Sequence, residues 1–142
     1  MGHDTGGELI PAAEDNPGGY WEHRAVVENH NDFLRAIGRS WSSPLPLEPE
    51  VFLGGEASTA RTRIREIYEG DFRGKRHWVL KDPRLCRLMP LWNDVLNSDG
   101  LRVGFVHVLR SPLAAAASLE KRDGMRLEAA LVLRLRPVVE RE

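Results

Sequence analysis

The chain has 142 residues, enough for one domain and too few for two ordinary ones. It is 42% hydrophobic and 29% charged, with a mean hydropathy of -0.39, the balance of a water-soluble protein that still builds a core. The net charge of -1 excludes a global basic field for nucleic acid or anionic lipid, so any anion site must be local.

Residues 1–19 are rich in Gly, Pro, Asn and Asp and predict a loop. They carry neither a basic leader nor an apolar run, so no signal peptide is expected. No segment approaches membrane-spanning length, and the expected compartment is the cytoplasm. Between Tyr20 and Gly38, Val26, Val27, Phe33, Leu34 and Ile37 recur at helical spacing, with Gly38 as the stop. A Pro- and Gly-rich connection follows. A second helix is predicted from about Ser58 to Tyr68. His77–Leu80 reads as a short strand. The stretch "LCRLMPLWNDVLNS" predicts a helix with Leu85, Leu88, Leu91, Trp92 and Val95 inward, with Pro90 either kinking it or marking where a first short turn gives way to the main helix. "RVGFVHVL" reads as a second buried strand. Helices follow over Pro112–Arg122 and Leu127–Val139. Strands alternating with helices predict an α/β fold: a parallel sheet flanked by helices, in a single domain.

The single cysteine, Cys86, excludes an internal disulfide and is expected to be a small buried residue. Core packing is the expectation for Trp21, Trp41, Trp78 and Trp92. His77 and His107 lack partners at metal-ligand spacing, and no metal site is expected.

Two strand ends carry charge. The first is "WVLKDPR", ending in Lys81, Asp82 and Arg84. The second is "VHVLRSP", where Arg110 precedes Ser111, a good N-cap, and Pro112, a good first helical residue. Free N–H groups and the helix dipole at that point favour an anion. Ser118 lies on the same alanine-rich helix. Read singly, Arg110 is a surface charge, Ser118 a helix serine bonded back to a carbonyl, and Lys81, Asp82 and Arg84 a salt-bridge cluster.

Together, "DNPGGYWEHRAVVENHNDFLRAIGRSW", "WVLKDPRLCRLMPLW" and "VHVLRSPLAAAASLEKRDGM" resemble the bacterial branch of the sulfotransferases that use 3′-phosphoadenosine-5′-phosphosulfate (PAPS). The likeness spans about Gly7 to Leu133 and implies a P-loop-like sulfotransferase fold. It implies that Arg110 and Ser118 bind the 3′-phosphate of the nucleotide. It implies roles for Lys81 on the sulfuryl group, Asp82 as proton acceptor and Arg84 in orienting the acceptor. Pro83 stands where cytosolic relatives carry a histidine base. The family's Gly-x-x-Arg-Ser-Gly-Thr-Ser donor loop has no counterpart, so the chain resembles the central part of such a domain, truncated at both ends. The implied reaction moves a sulfuryl group from PAPS to a hydroxyl or amine on a small molecule or glycan, without a metal. Two alternatives stand beside it. One is a non-catalytic remnant that binds a 3′-phosphorylated adenine nucleotide. The other is an interaction module whose unpaired sheet edge pairs with a partner or with a second copy of the chain.

Overall fold

A computed structural model describes residues 4–98, 100–108 and 110–139. It is helical. α1 covers Arg24–Ala36, α2 Gly55–Ile67, α3 Leu85–Ser98, α4 Pro112–Asp123 and α5 Leu127–Val139. A 3₁₀ turn at Pro49–Phe52 precedes α2, and a π-helical turn at Tyr68–Phe72 follows it. The chain divides into two compact units. The first contains residues up to Trp41 together with Leu47–Leu101, and the second Ser42–Pro46 together with the chain from Arg102 onward.

The first unit holds the main core. α1 is amphipathic, and its Val26, Phe33 and Leu34 face inward. They meet Ala57, Ala60, Ile64 and Ile67 of α2, and Leu88, Leu91, Trp92, Val95 and Leu96 of α3. Phe33 stacks on Phe52, and Phe72 lies against Trp78 with ring centres 4.6 Å apart. Asn29 is buried on α1 and donates to the Ala60 carbonyl at 3.1 Å, fixing the register between α1 and α2. Gly38, at φ 69°, ends α1 with the left-handed residue that such a stop requires. Pro90 lies inside α3.

The N-terminal segment runs extended along this unit. Ile10 N–H donates to the Glu22 carbonyl, Arg24 N–H to that of Glu8 and Val79 N–H to that of Asp4. These bonds produce isolated bridges, Leu9 with His23 and Asp4 with Trp78. Gly6 passes so close to Phe72 that a Cβ there would lie 2.5 Å from its ring.

The second unit contains α4 and α5. Ala115 and Ala116 of α4 and Ala130 of α5 are buried. Gly124, at φ 63°, closes α4 by donating to the Glu120 carbonyl.

The expected α/β architecture is corrected by this structure. Among the described residues there is no strand and no sheet, and therefore neither a P-loop-like fold nor a sheet edge. Of His77–Leu80, Trp78 forms one bridge to Asp4 and nothing more. The "RVGFVHVL" stretch is non-helical, and Phe105, Val106 and Val108 are 72%, 89% and 80% exposed; Leu109 lies outside the described residues. The physical reason is partnership. An extended segment satisfies its backbone only through a neighbour, and two short strands without a third are marginal in water. The helical expectations hold: α3 and α5 span the residues anticipated, and the other three differ by a few residues at their ends.

Candidate functional site

The Lys-Asp-Pro-Arg stretch lies directly before α3. Asp82 is buried at 6% exposure, and one carboxylate serves two elements. Its Oδ1 accepts from the Arg84 backbone N–H at 2.9 Å and from the Arg84 guanidinium at 2.8 Å. Its Oδ2 lies 2.7 Å from His30 Nδ1, on α1. The indole N–H of Trp92, on α3, donates to His30 Nε2 at 2.9 Å. Indole is only a donor, so that nitrogen carries no proton and Nδ1–H donates to Asp82. Carboxylate, imidazole and indole thus form a buried chain that ties the turn to two helices. Burial pushes the Asp82 carboxyl up, but the His30 hydrogen bond and the Arg84 charge and N–H outweigh it and leave it below the ordinary 3.8.

The cations beside Asp82 have partners of their own. Arg84 Nε donates to Asn31 Oδ1 at 2.9 Å, and its guanidinium lies 3.5 Å from Glu22 Oε2. Lys81 Nζ donates to Glu22 Oε1 at 2.6 Å and to the Tyr20 carbonyl at 2.9 Å. Glu22 is only 7% exposed and lies between two cations, the arrangement in which a buried carboxylate is tolerated. Lys81 itself is half exposed.

Of these groups, the sequence pointed to Lys81, Asp82 and Arg84, and the structure brings them together. Glu22, His30, Asn31 and Trp92 complete the cluster. His30 had a readable signal: it sits four residues after Val26 and three before Phe33, on the apolar stripe of α1, where a polar ring requires partners. Glu22 had none, because its partner lies 59 residues away.

Beside this cluster the backbone at Trp21 is left-handed, at φ 57°. For a bulky residue that conformation costs about 1–2 kcal/mol. Trp21 is 62% exposed, and Trp41 is 37% exposed, so two of the four tryptophans expected in the core are at the surface. Trp92 is buried and Trp78 packs on the core. Cys86, expected to be buried, is exposed, and its thiol donates to the Pro83 carbonyl. An open cleft of about 350 Å³ is lined by Asn31, Arg35, Ser40 and Trp41.

The second pair of expected residues belongs to the other unit. Arg110 is exposed and lies two residues before Pro112, the first residue of α4. Ser111 takes the N-cap position, but its side chain makes no capping bond. The first-turn N–H groups of α4 are therefore not occupied by that hydroxyl. Ser118 is exposed, and seven residues, about two turns, bring it onto the helix face of Ser111. An exposed arginine beside an uncapped helix start suits an anion such as phosphate, and Ser118 lies two turns, about 10 Å, further along that helix.

No group of three or more His, Cys, Asp or Glu positioned for a metal ion occurs among the described residues, and none of their helices is long and apolar enough to cross a membrane. Compared with protein-family models, with curated proteins and with solved structures, the chain matches none.

Proposed function

We propose that the chain is a sulfotransferase-type protein that binds PAPS by its 3′-phosphate at Arg110 and Ser118 and passes the sulfuryl group to a hydroxyl or amine. In that reaction the bond from sulfur to the 5′-phosphate oxygen breaks. A bond from sulfur to the acceptor oxygen or nitrogen forms. The acceptor's proton is released, and adenosine 3′,5′-bisphosphate leaves. Such a transfer asks a protein chiefly for positioning and for charge on the equatorial oxygens. The reading rests on the site residues and not on a sheet. The observation that carries it is Arg110, exposed directly ahead of the uncapped start of α4.

One observation favours a second reading, binding without transfer. Asp82 and Arg84 are committed to His30, Asn31 and each other, and Lys81 to Glu22. A proton acceptor with both oxygens engaged and no solvent exposure is poorly placed to receive a proton from an acceptor.

Calorimetry with adenosine 3′,5′-bisphosphate tests both. The wild type should bind, and Arg110→Ala and Ser118→Ala should each lose about 1–3 kcal/mol, the range for a phosphate contact. Binding unaffected by either substitution places the nucleotide elsewhere, and no binding by a folded chain rejects both readings. With binding secured, transfer from labelled PAPS to a hydroxyl or amine acceptor separates the two.

A further inference from the structure

The net charge of -1 conceals a division along the chain. Residues 1–101 carry 16 Asp and Glu against 12 Lys and Arg, whereas residues 102–142 carry 5 against 8. An acidic part followed by a basic one suits a chain that meets an anionic surface with one end. The basic part opens on an apolar run. From Arg102 to Leu119 the sequence holds two arginines, Arg102 and Arg110, and no acidic residue.

That run is at the surface. Every described residue from Arg102 to Ala114 is exposed, among them Val103, Phe105, Val106, Val108 and Leu113. Single exposed apolar residues are ordinary, but a continuous apolar run marks a surface that meets a partner or a membrane. Leu53 gives the contrast: it is 83% exposed, yet it stands alone between Glu50 and Glu56.

Charge and geometry favour one occupant. Phe105 and Val106 are neighbours in a non-helical chain, so their side chains leave it in different directions, and both are largely exposed. A flat protein face covers one side of such a chain, whereas a lipid interface closes around both. A second copy of the run is a poor fit, because pairing it in either direction sets arginine against arginine with no carboxylate between them. A nucleic acid would answer the arginines but leave the valines in water. Among the described residues, no backbone–backbone hydrogen bond involves Val103, Phe105, Val106 or Val108. Their N–H and C=O groups must stay hydrated, which limits entry to the headgroup boundary, about 5–10 Å deep.

We propose that residues 102–108, flanked by Arg102 and Arg110, are a docking surface for a bilayer containing anionic phospholipid. The apolar side chains enter the interface, and the guanidiniums take the headgroup phosphates and carboxylates.

The test mixes the full chain with vesicles of equal parts phosphatidylcholine and phosphatidylserine, and with vesicles of phosphatidylcholine alone, and reads bound protein by sedimentation. No nucleotide is present, so failure here leaves the reading of Arg110 and Ser118 standing. Wild type should bind the anionic vesicles and come off as salt is raised. Val106→Asp should lose at least about tenfold in affinity with an unchanged unfolding midpoint. Arg102→Gln should lose about fivefold, the share of one cation near a charged bilayer. Leu53→Asp should bind as wild type does. Wild type left in the supernatant overturns the proposal, as does equal binding to neutral vesicles. Undiminished binding by Val106→Asp or Arg102→Gln overturns it too, and so does a loss in Leu53→Asp as large as that in Val106→Asp. A lowered midpoint in Val106→Asp means that the run is covered within the chain. Self-association without vesicles that Val106→Asp abolishes means that its partner is a second copy. Either result also overturns the proposal.

Discussion

Asp82 Oδ2 and His30 Nδ1 meet at 2.7 Å although 52 residues separate them, and neither side chain has any exposure to solvent. The pair fastens the turn before α3 to the middle of α1. Removing the carboxylate strands the buried His30 N–H, while the Arg84 guanidinium keeps Asn31 and Glu22. Asp82→Ala should therefore cost about 1–3 kcal/mol, the range for leaving a buried donor without its acceptor. Asp82→Asn, which keeps an acceptor, should cost less. Urea unfolding of the three proteins measures both effects, and equal stabilities would mean that the buried contact contributes nothing.

The same carboxylate sets a pH dependence. Asp82 titrates below its ordinary value in the folded chain, so the unfolded chain binds the proton more readily. Its contribution is complete above the unfolded value, near 3.8, and is lost as pH falls through the lower folded value. The stability of wild type should drop through that acid limb, and Asp82→Asn should flatten it. Urea midpoints measured from about pH 5 down to pH 2 provide the comparison; parallel curves would remove Asp82 as a cause.

The helices could be read from the sequence because their information is local. The stripe Val26, Val27, Phe33, Leu34 and the glycine at 38 define α1 without reference to anything distant. The run from Leu85 to Val95 defines α3 in the same way. Strands carry no such guarantee. Phe105, Val106 and Val108 have the composition of a buried strand, but burial depends on a neighbour that the described chain does not supply. The cluster around Asp82 was half legible for a related reason. Lys81, Asp82 and Arg84 are adjacent in sequence, while Glu22 and His30 arrive through packing. Trp21 departs from the expectation because composition predicts a buried indole, whereas the folded chain leaves this one 62% exposed.

That contrast between strand composition and burial can be measured. Val95 is 1% exposed in the first unit, and Val106 is 89% exposed. Val95→Ala should cost about 1–3 kcal/mol as a cavity in the core. Val106→Thr should change stability by no more than about 0.5 kcal/mol. Hydrogen exchange should likewise find the amides of residues 102–108 unprotected while those of α3 are slow. Protection across 102–108, or a cost at Val106 comparable to that at Val95, would show that the segment has a partner in solution.

At the N-terminal end the prediction concerns Gly6. Its backbone sits at φ 84°, where a Cβ is strained, and the space a Cβ would take is occupied by the Phe72 ring at 2.5 Å and His23 Cδ2 at 3.0 Å. Phe72 cannot retreat freely, because it is 1% exposed and packed against Trp78 and His23. His23 is equally confined: its Nδ1 accepts from the Val26 N–H to cap α1, and its Nε2 meets Asp71 at 3.0 Å. A methyl group at position 6 therefore lifts the extended segment away or disturbs the cap. Gly6→Ala should cost about 2 kcal/mol or more, combining overpacking with left-handed strain. Trimming by a nonspecific protease should accelerate at residues 4–10 in the variant. Wild-type stability and wild-type trimming in Gly6→Ala would mean that the segment does not lie on Phe72 in solution.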